Sequence, residues 1–128
     1  MIPKTAAALT PAEILRFRDN LKSRKVFISA RTQLRLDKAR QVAVRAASIL
    51  KTEFSAVRVV IFGSLVAPEL FHNRSDIDLA AWGIKDREYY RAVGVLQSID
   101  TEFSIDLIDF EDASCELQKT ILHDGVEL

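Results

Sequence analysis

Val57-Arg58-Val59-Val60-Ile61-Phe62-Gly63-Ser64 and, after eleven intervening residues, Asp76-Ile77-Asp78-Leu79-Ala80-Ala81-Trp82 are the stretches that decide the fold. The first is a β-branched, apolar run stopped by a glycine, the pattern of a buried strand. The second alternates. Ile77, Leu79 and Ala81 fall on one face of a strand, Asp76, Asp78, Ala80 and Trp82 on the other, and Gly83 ends it. Working outward, Asp86 to about Ile99 has helical spacing, with Tyr89, Val93 and Leu96 on one stripe. Phe103 to Phe110 alternates again: Phe103, Ile105 and Leu107 on one face, Ser104, Asp106 and Ile108 on the other. Asp112 is placed to cap a last helix carrying Leu117, Ile121 and Leu122. Upstream, Thr32 to Phe54 predicts a long helix whose buried side holds Leu36, Ala39, Val42, Ala43, Ala46, Ile49 and Leu50. Before it, Thr10-Pro11-Ala12-Glu13 reads as a capping box that starts another helix, followed by the stripe Ile14, Phe17, Leu21. The expected fold is an α/β (α+β) domain: a small mixed sheet of about three strands with helices packed on it, preceded by two N-terminal helices. The expected division is a helical extension over 1–54, packing on the core or on a partner, and a core over 55–128.

A chain of 128 residues fits one domain, and 48% hydrophobic with 28% charged residues is ordinary for a globular protein. That composition excludes wholesale disorder, a collagen-like repeat and a disulfide scaffold. The single cysteine, Cys115, can make neither an internal bridge nor a cysteine-based zinc site, which points to a reducing cytoplasm. No apolar run reaches the roughly 18 residues of a membrane span. Net charge is zero, yet residues 1–58 hold 13 Lys/Arg against 4 Asp/Glu and residues 59–128 hold 5 against 14. Either the basic part meets an acidic partner or nucleic acid, or it folds onto its own acidic half. The basic residues Arg31, Arg35, Lys38, Arg40, Arg45 and Lys51 are spread around the long helix without interleaved aromatics, so a protein-contacting or solvated face is favoured over RNA binding.

Three features fall on one edge of the predicted sheet. Gly63-Ser64 sits where a strand turns into a short helix, where glycine permits a tight turn and free amides with the Ser64 hydroxyl make an anion site. Asp76 and Asp78, two apart on a strand, share a face with Cα atoms about 6.5–7 Å apart. Like charges held that close on an apolar strand are either solvated at an exposed face or compensated by a divalent cation, and oxygen ligands suit Mg2+. Asp106 joins them if its strand neighbours theirs, giving the acidic set that a pair of such ions requires. Asp109 is the rival for that place but falls on the opposite strand face. Trp82 and Tyr89-Tyr90 are candidates to stack on a base, with core packing favoured for each. Arg74 and His72, in the loop before Asp76, read as loop residues first.

Gly63-Ser64, the Asp76-Ile77-Asp78 pair and the later Phe103-Ser104-Ile105-Asp106-Leu107 together resemble the DNA polymerase beta-type nucleotidyltransferase superfamily, and within it the minimal nucleotidyltransferase (MNT) proteins. The likeness spans about Val57 to Leu128. It departs from the family at Pro68, where a second glycine is common, so the helix after Ser64 is expected to be short. The resemblance implies a polymerase beta-like fold, with Gly63 and Ser64 binding the nucleoside triphosphate and Asp76, Asp78 and Asp106 as catalytic residues and ligands of a two-metal Mg2+ site. It further implies transfer of AMP from ATP to a hydroxyl, a tyrosine of a cognate HEPN ribonuclease toxin, by an antitoxin in a hetero-oligomer with that toxin. The alternatives are an antitoxin that neutralises its partner by binding alone, and a nucleotidyltransferase acting on a small molecule.

Overall fold

The protein is described here from a computed structural model, which covers residues 29–67, 71 and 76–128. The helix expected from Thr10, and Pro68, His72 and Arg74, lie outside the described residues. The described chain begins with helix α1 (Ala30–Glu53), capped by Ser29, whose hydroxyl accepts from the Thr32 amide. Strand β1 (Arg58–Phe62) follows, then a single 3-10 turn over Gly63–Leu65, in keeping with the short helix expected there. Strand β2 (Ile77–Trp82), helix α2 (Asp86–Gln97) and strand β3 (Ile105–Asp109) form a strand-helix-strand unit. Helix α3 (Cys115–Asp124) and a two-residue strand β4 (Val126–Glu127) end the chain. Asp112 does not cap α3. It closes a 3-10 turn over Phe110–Asp112, and the Ser114 hydroxyl accepts from the Leu117 amide instead. An Asp and a Ser two residues apart offer equivalent caps to a sequence reader, and the intervening turn selects the serine.

The sheet is mixed, in the order β3-β2-β1-β4. β2 runs antiparallel to β1 and parallel to β3, and α2 supplies the crossover that a parallel pair demands. β4 pairs antiparallel with β1 and is too short to be legible in the sequence. One sheet face carries the main core: Val59, Ile61, Ile77, Leu79, Ile105 and Leu107 pack with Leu36, Ala43 and Leu50 of α1 and with Ala92 and Leu96 of α2. Each fully buried Leu or Ile there contributes roughly 1.5–3 kcal/mol. The other face carries a smaller cluster, Val60, Phe62, Ala80 and Ile121, edged by Trp82, Ile108, Phe110 and Leu117. So α1 and α2 cover one side, and α3 covers part of the other. The edge strand β3 is guarded by α2, since the Gln97 amide and the Tyr89 hydroxyl donate to the Ile105 and Leu107 carbonyls. Among the described residues, no helix is long and apolar enough to cross a membrane.

Much of the basic α1 folds onto the chain's own acidic half. Arg35 and Lys38 both reach Glu102, at 2.8 and 2.5 Å, and the Lys51 ammonium donates to the Leu128 main-chain oxygen. Two glycines give opposite expectations. A Cβ on Gly125 would strike the Ile121 carbonyl and Val60, whereas one on Gly94, in α2, would meet nothing within 4 Å. Gly125→Ala is therefore expected to destabilise by about 1–3 kcal/mol through overpacking. Gly94→Ala should stabilise by roughly 0.4–1 kcal/mol by restricting the unfolded chain. Urea unfolding of the two variants checks both signs.

Candidate active site

The strand register assembles the site. Phe62 is opposite Asp78 across β1 and β2, and Asp78 is opposite Asp106 across β2 and β3, so the three stand in one row across the sheet. Strands lie about 4.8 Å apart, which puts the two aspartates on adjacent positions of one face. That face is the one with the smaller cluster, and the alternation that turns Ile77, Leu79, Ile105 and Leu107 into the main core turns Asp78 and Asp106 away from it. Asp76 stands just before β2, exposed; Asp106 is exposed and Asp78 half-buried. Asp109, two residues past Leu107 on the core-facing parity, falls on the opposite face as expected.

Gly63 continues from Phe62, and its turn runs directly beside Asp78. Its φ is +74°, a left-handed conformation, and a Cβ there would collide with Asp78 Oδ2. The glycine is required twice over, by the backbone turn and by the approach of the carboxylate. The turn is closed by the Val66 and Ala67 amides, both donating to the Gly63 carbonyl at 3.1 Å. Ser64 is half-buried within it. Beside Asp78 and Asp106 opens a cleft of about 330 Å³, with Phe62, Ile108 and Leu117 as apolar walls and Tyr89 and Gln97 of α2 also lining it.

Electrostatics single out Asp78. Burial first, then the charges of Asp106 and Asp76, push its carboxyl up to about 6 from an ordinary 3.8. The shift marks a half-buried carboxylate with two further carboxylates near it, and carboxylate oxygens are the ligands that a hard divalent cation takes. Among the described residues, however, the three carboxylates whose oxygens all approach within 4.8 Å are others: Asp86, Asp109 and Asp112. They line a neighbouring cleft of about 470 Å³ together with Tyr89 and Tyr90. Burial, with Asp112 and Asp86 adding to it, lifts the Asp109 carboxyl above its usual range, against the Glu111 amide bond that it accepts.

The chain matches the family model "Polymerase beta, Nucleotidyltransferase" over residues 45–128. It belongs to that nucleotidyltransferase family. The match begins inside α1. Among solved structures the chain is similar to a toxin–antitoxin with AMP-PNP, at 23% identity and a TM-score of 0.53, covering 64% of this chain and 68% of that one. It is also similar to a mutant of the toxin–antitoxin MntA-HpeT in which two aspartates are glutamates, at 20% identity and a TM-score of 0.50, covering 64% and 70%. These likenesses are of fold. No curated protein matches the chain.

One residue near the site is misread in the sequence, and another packs as expected. Arg40 reads as one of six spread helix charges, yet it is 1% exposed and donates to the Leu65 carbonyl at the end of the Gly63–Leu65 turn. The signal was present, because Leu36, Arg40, Ala43 and Ala47 follow helical spacing along the buried stripe. Trp82 stacks on Phe110, with ring centroids 4.2 Å apart, and the Arg58 guanidinium lies over its ring, so its faces are already engaged by protein groups.

The raised Asp78 carboxyl has a sign for stability. The folded protein binds this proton more tightly than the unfolded chain, so the contribution is fully present below about pH 4 and is lost as pH rises through about 6. In metal-free protein the unfolding midpoint should fall between pH 5 and pH 7, and Asp78→Asn should show a smaller fall. Thermal unfolding at the two pH values measures it.

Proposed function

We propose that the protein is a Mg2+-dependent nucleotidyltransferase that transfers AMP from ATP to a hydroxyl, the acceptor being a tyrosine of a HEPN-type toxin that it neutralises as antitoxin. The observation that carries this reading is the adjacency of Asp78 and Asp106 across β2 and β3, beside a left-handed glycine turn, in a member of a nucleotidyltransferase family. The similar structures lend support: one is a toxin–antitoxin holding the ATP analogue AMP-PNP, and another carries Asp-to-Glu changes at two aspartates spaced as Asp76 and Asp78 are. We assign the catalytic core to residues 55–128 and a supporting or docking role to 1–54.

In this reading the amides and hydroxyl of Gly63-Ser64 hold the triphosphate, since a tight turn offers unpaired N–H groups to an anion. Asp76, Asp78 and Asp106 are the ligands for Mg2+. Bound there, Mg2+ would neutralise charge on the triphosphate and lower the pKa of the attacking hydroxyl. The acceptor oxygen attacks the α-phosphorus as the bond to the bridging oxygen breaks, and pyrophosphate leaves. Asp106, exposed and level with Asp78 across the strands, accepts the hydroxyl proton. Phe62, Ile108 and Leu117 line the adjoining cleft and give an aromatic acceptor an apolar surface to lie on while its hydroxyl faces the carboxylates.

Incubating the chain and a co-expressed HEPN-type partner with α-labelled ATP and Mg2+ tests the reading. Label should appear on a partner tyrosine. Asp78→Asn should cut transfer by about a hundredfold or more, as expected for losing several kcal/mol of transition-state charge stabilisation. Absence of label, or neutralisation that survives Asp76→Asn with Asp78→Asn, refutes transfer and leaves binding alone. Turnover on a small molecule without any partner refutes the protein acceptor.

A further inference from the structure

We infer that Arg40 is a positioning residue for nucleotide binding, acting through the Leu65 carbonyl on the Gly63–Leu65 turn. The inference rests on the nucleotidyltransferase reading of that turn. Among the described residues Arg40 is the buried charged side chain, 1% exposed within the main core. Its Nε and Nη2 both donate to the Leu65 carbonyl, at 3.3 and 2.8 Å, and Asp37, one turn earlier in α1, lies 3.9 Å from Nη1. Burial lowers its pKa to about 10, partly offset by Asp37, which leaves it cationic at neutral pH.

Burying a guanidinium costs several kcal/mol, and an apolar side chain of similar volume is often as good for stability. Stability by itself therefore gives little reason for an arginine beneath the turn. Geometry gives a better one. The peptide unit is planar, so a two-pronged grip on the Leu65 carbonyl also fixes the Val66 N–H, which donates to the Gly63 carbonyl and closes the turn. The segment so fixed carries Ser64 and backs onto Asp78. Arg40 thus ties α1 to the edge where the phosphates and carboxylates must be held in register, and it adds a fixed positive charge behind an anion site.

Arg40→Met and Arg40→Lys separate these effects, with Mg-ATP affinity, unfolding midpoint and the Ser64, Leu65 and Val66 amide resonances measured in each. Arg40→Met should remain folded and lose Mg-ATP affinity by about tenfold or more, the range seen when an outer support of a site is removed. Arg40→Lys, which keeps the charge and loses the fork, should lie between it and the parent. In both, the three amides should shift more than those of β2 and β3. Should Arg40→Met fail to fold, Arg40→Lys carries the same two readouts. Variants that bind Mg-ATP as tightly as the parent, or leave the three amides in place, overturn the inference. A parent chain that does not bind Mg-ATP overturns the nucleotidyltransferase reading instead, and the amide shifts then judge Arg40 by themselves.

Discussion

Everything at the site depends on one registration of strands: Phe62 beside Asp78 beside Asp106. Because side chains alternate along a strand, a slip of one residue in either pairing would turn a carboxylate into the core and an isoleucine or leucine out of it. The main core forbids this. Ile77, Leu79, Ile105 and Leu107 are buried under α1 and α2, and their burial keeps Asp78 and Asp106 on the opposite face without any interaction between the aspartates themselves. The apolar face enforces a polar arrangement that is unfavourable on its own, and the Asp78 carboxyl is raised by burial first and then by Asp106 and Asp76.

The two sheet faces do different work as a result. One is sealed by two helices and supplies cohesion. The other is covered by α3 only in part, and the open remainder holds the carboxylates and the cleft beside them. The 3-10 turn after β1 joins the two, since its glycine abuts Asp78 on the open face while Leu65 is buried in the main core and its carbonyl is held by Arg40.

The charge asymmetry along the chain has a largely internal explanation in the described part. Arg35 and Lys38 meet Glu102, Lys51 meets Leu128, and Arg40 is buried. Among the described residues, the basic helix closes over the acidic half at Glu102 and at the Leu128 main-chain oxygen. Exposed ion pairs of this kind contribute little each, so their value lies in orientation more than in stability.

The sequence by itself determined the three longer strands, the long helix and the glycine turn, because these follow from local periodicity and from conformations that only certain residues adopt. It also carried the family likeness in three short motifs. What it left open was anything set by partners distant in the chain: that β3 lies parallel beside β2 with Asp106 level with Asp78, that a two-residue strand returns to β1, and that Arg40 is buried. Ser114 rather than Asp112 caps α3 for the same reason, since an intervening turn decides between two equally good caps. Which residues are neighbours across strands, and which charge is dehydrated, are properties of the packed molecule. They are set by the fit of apolar faces against one another, a quantity that periodicity along the chain does not encode.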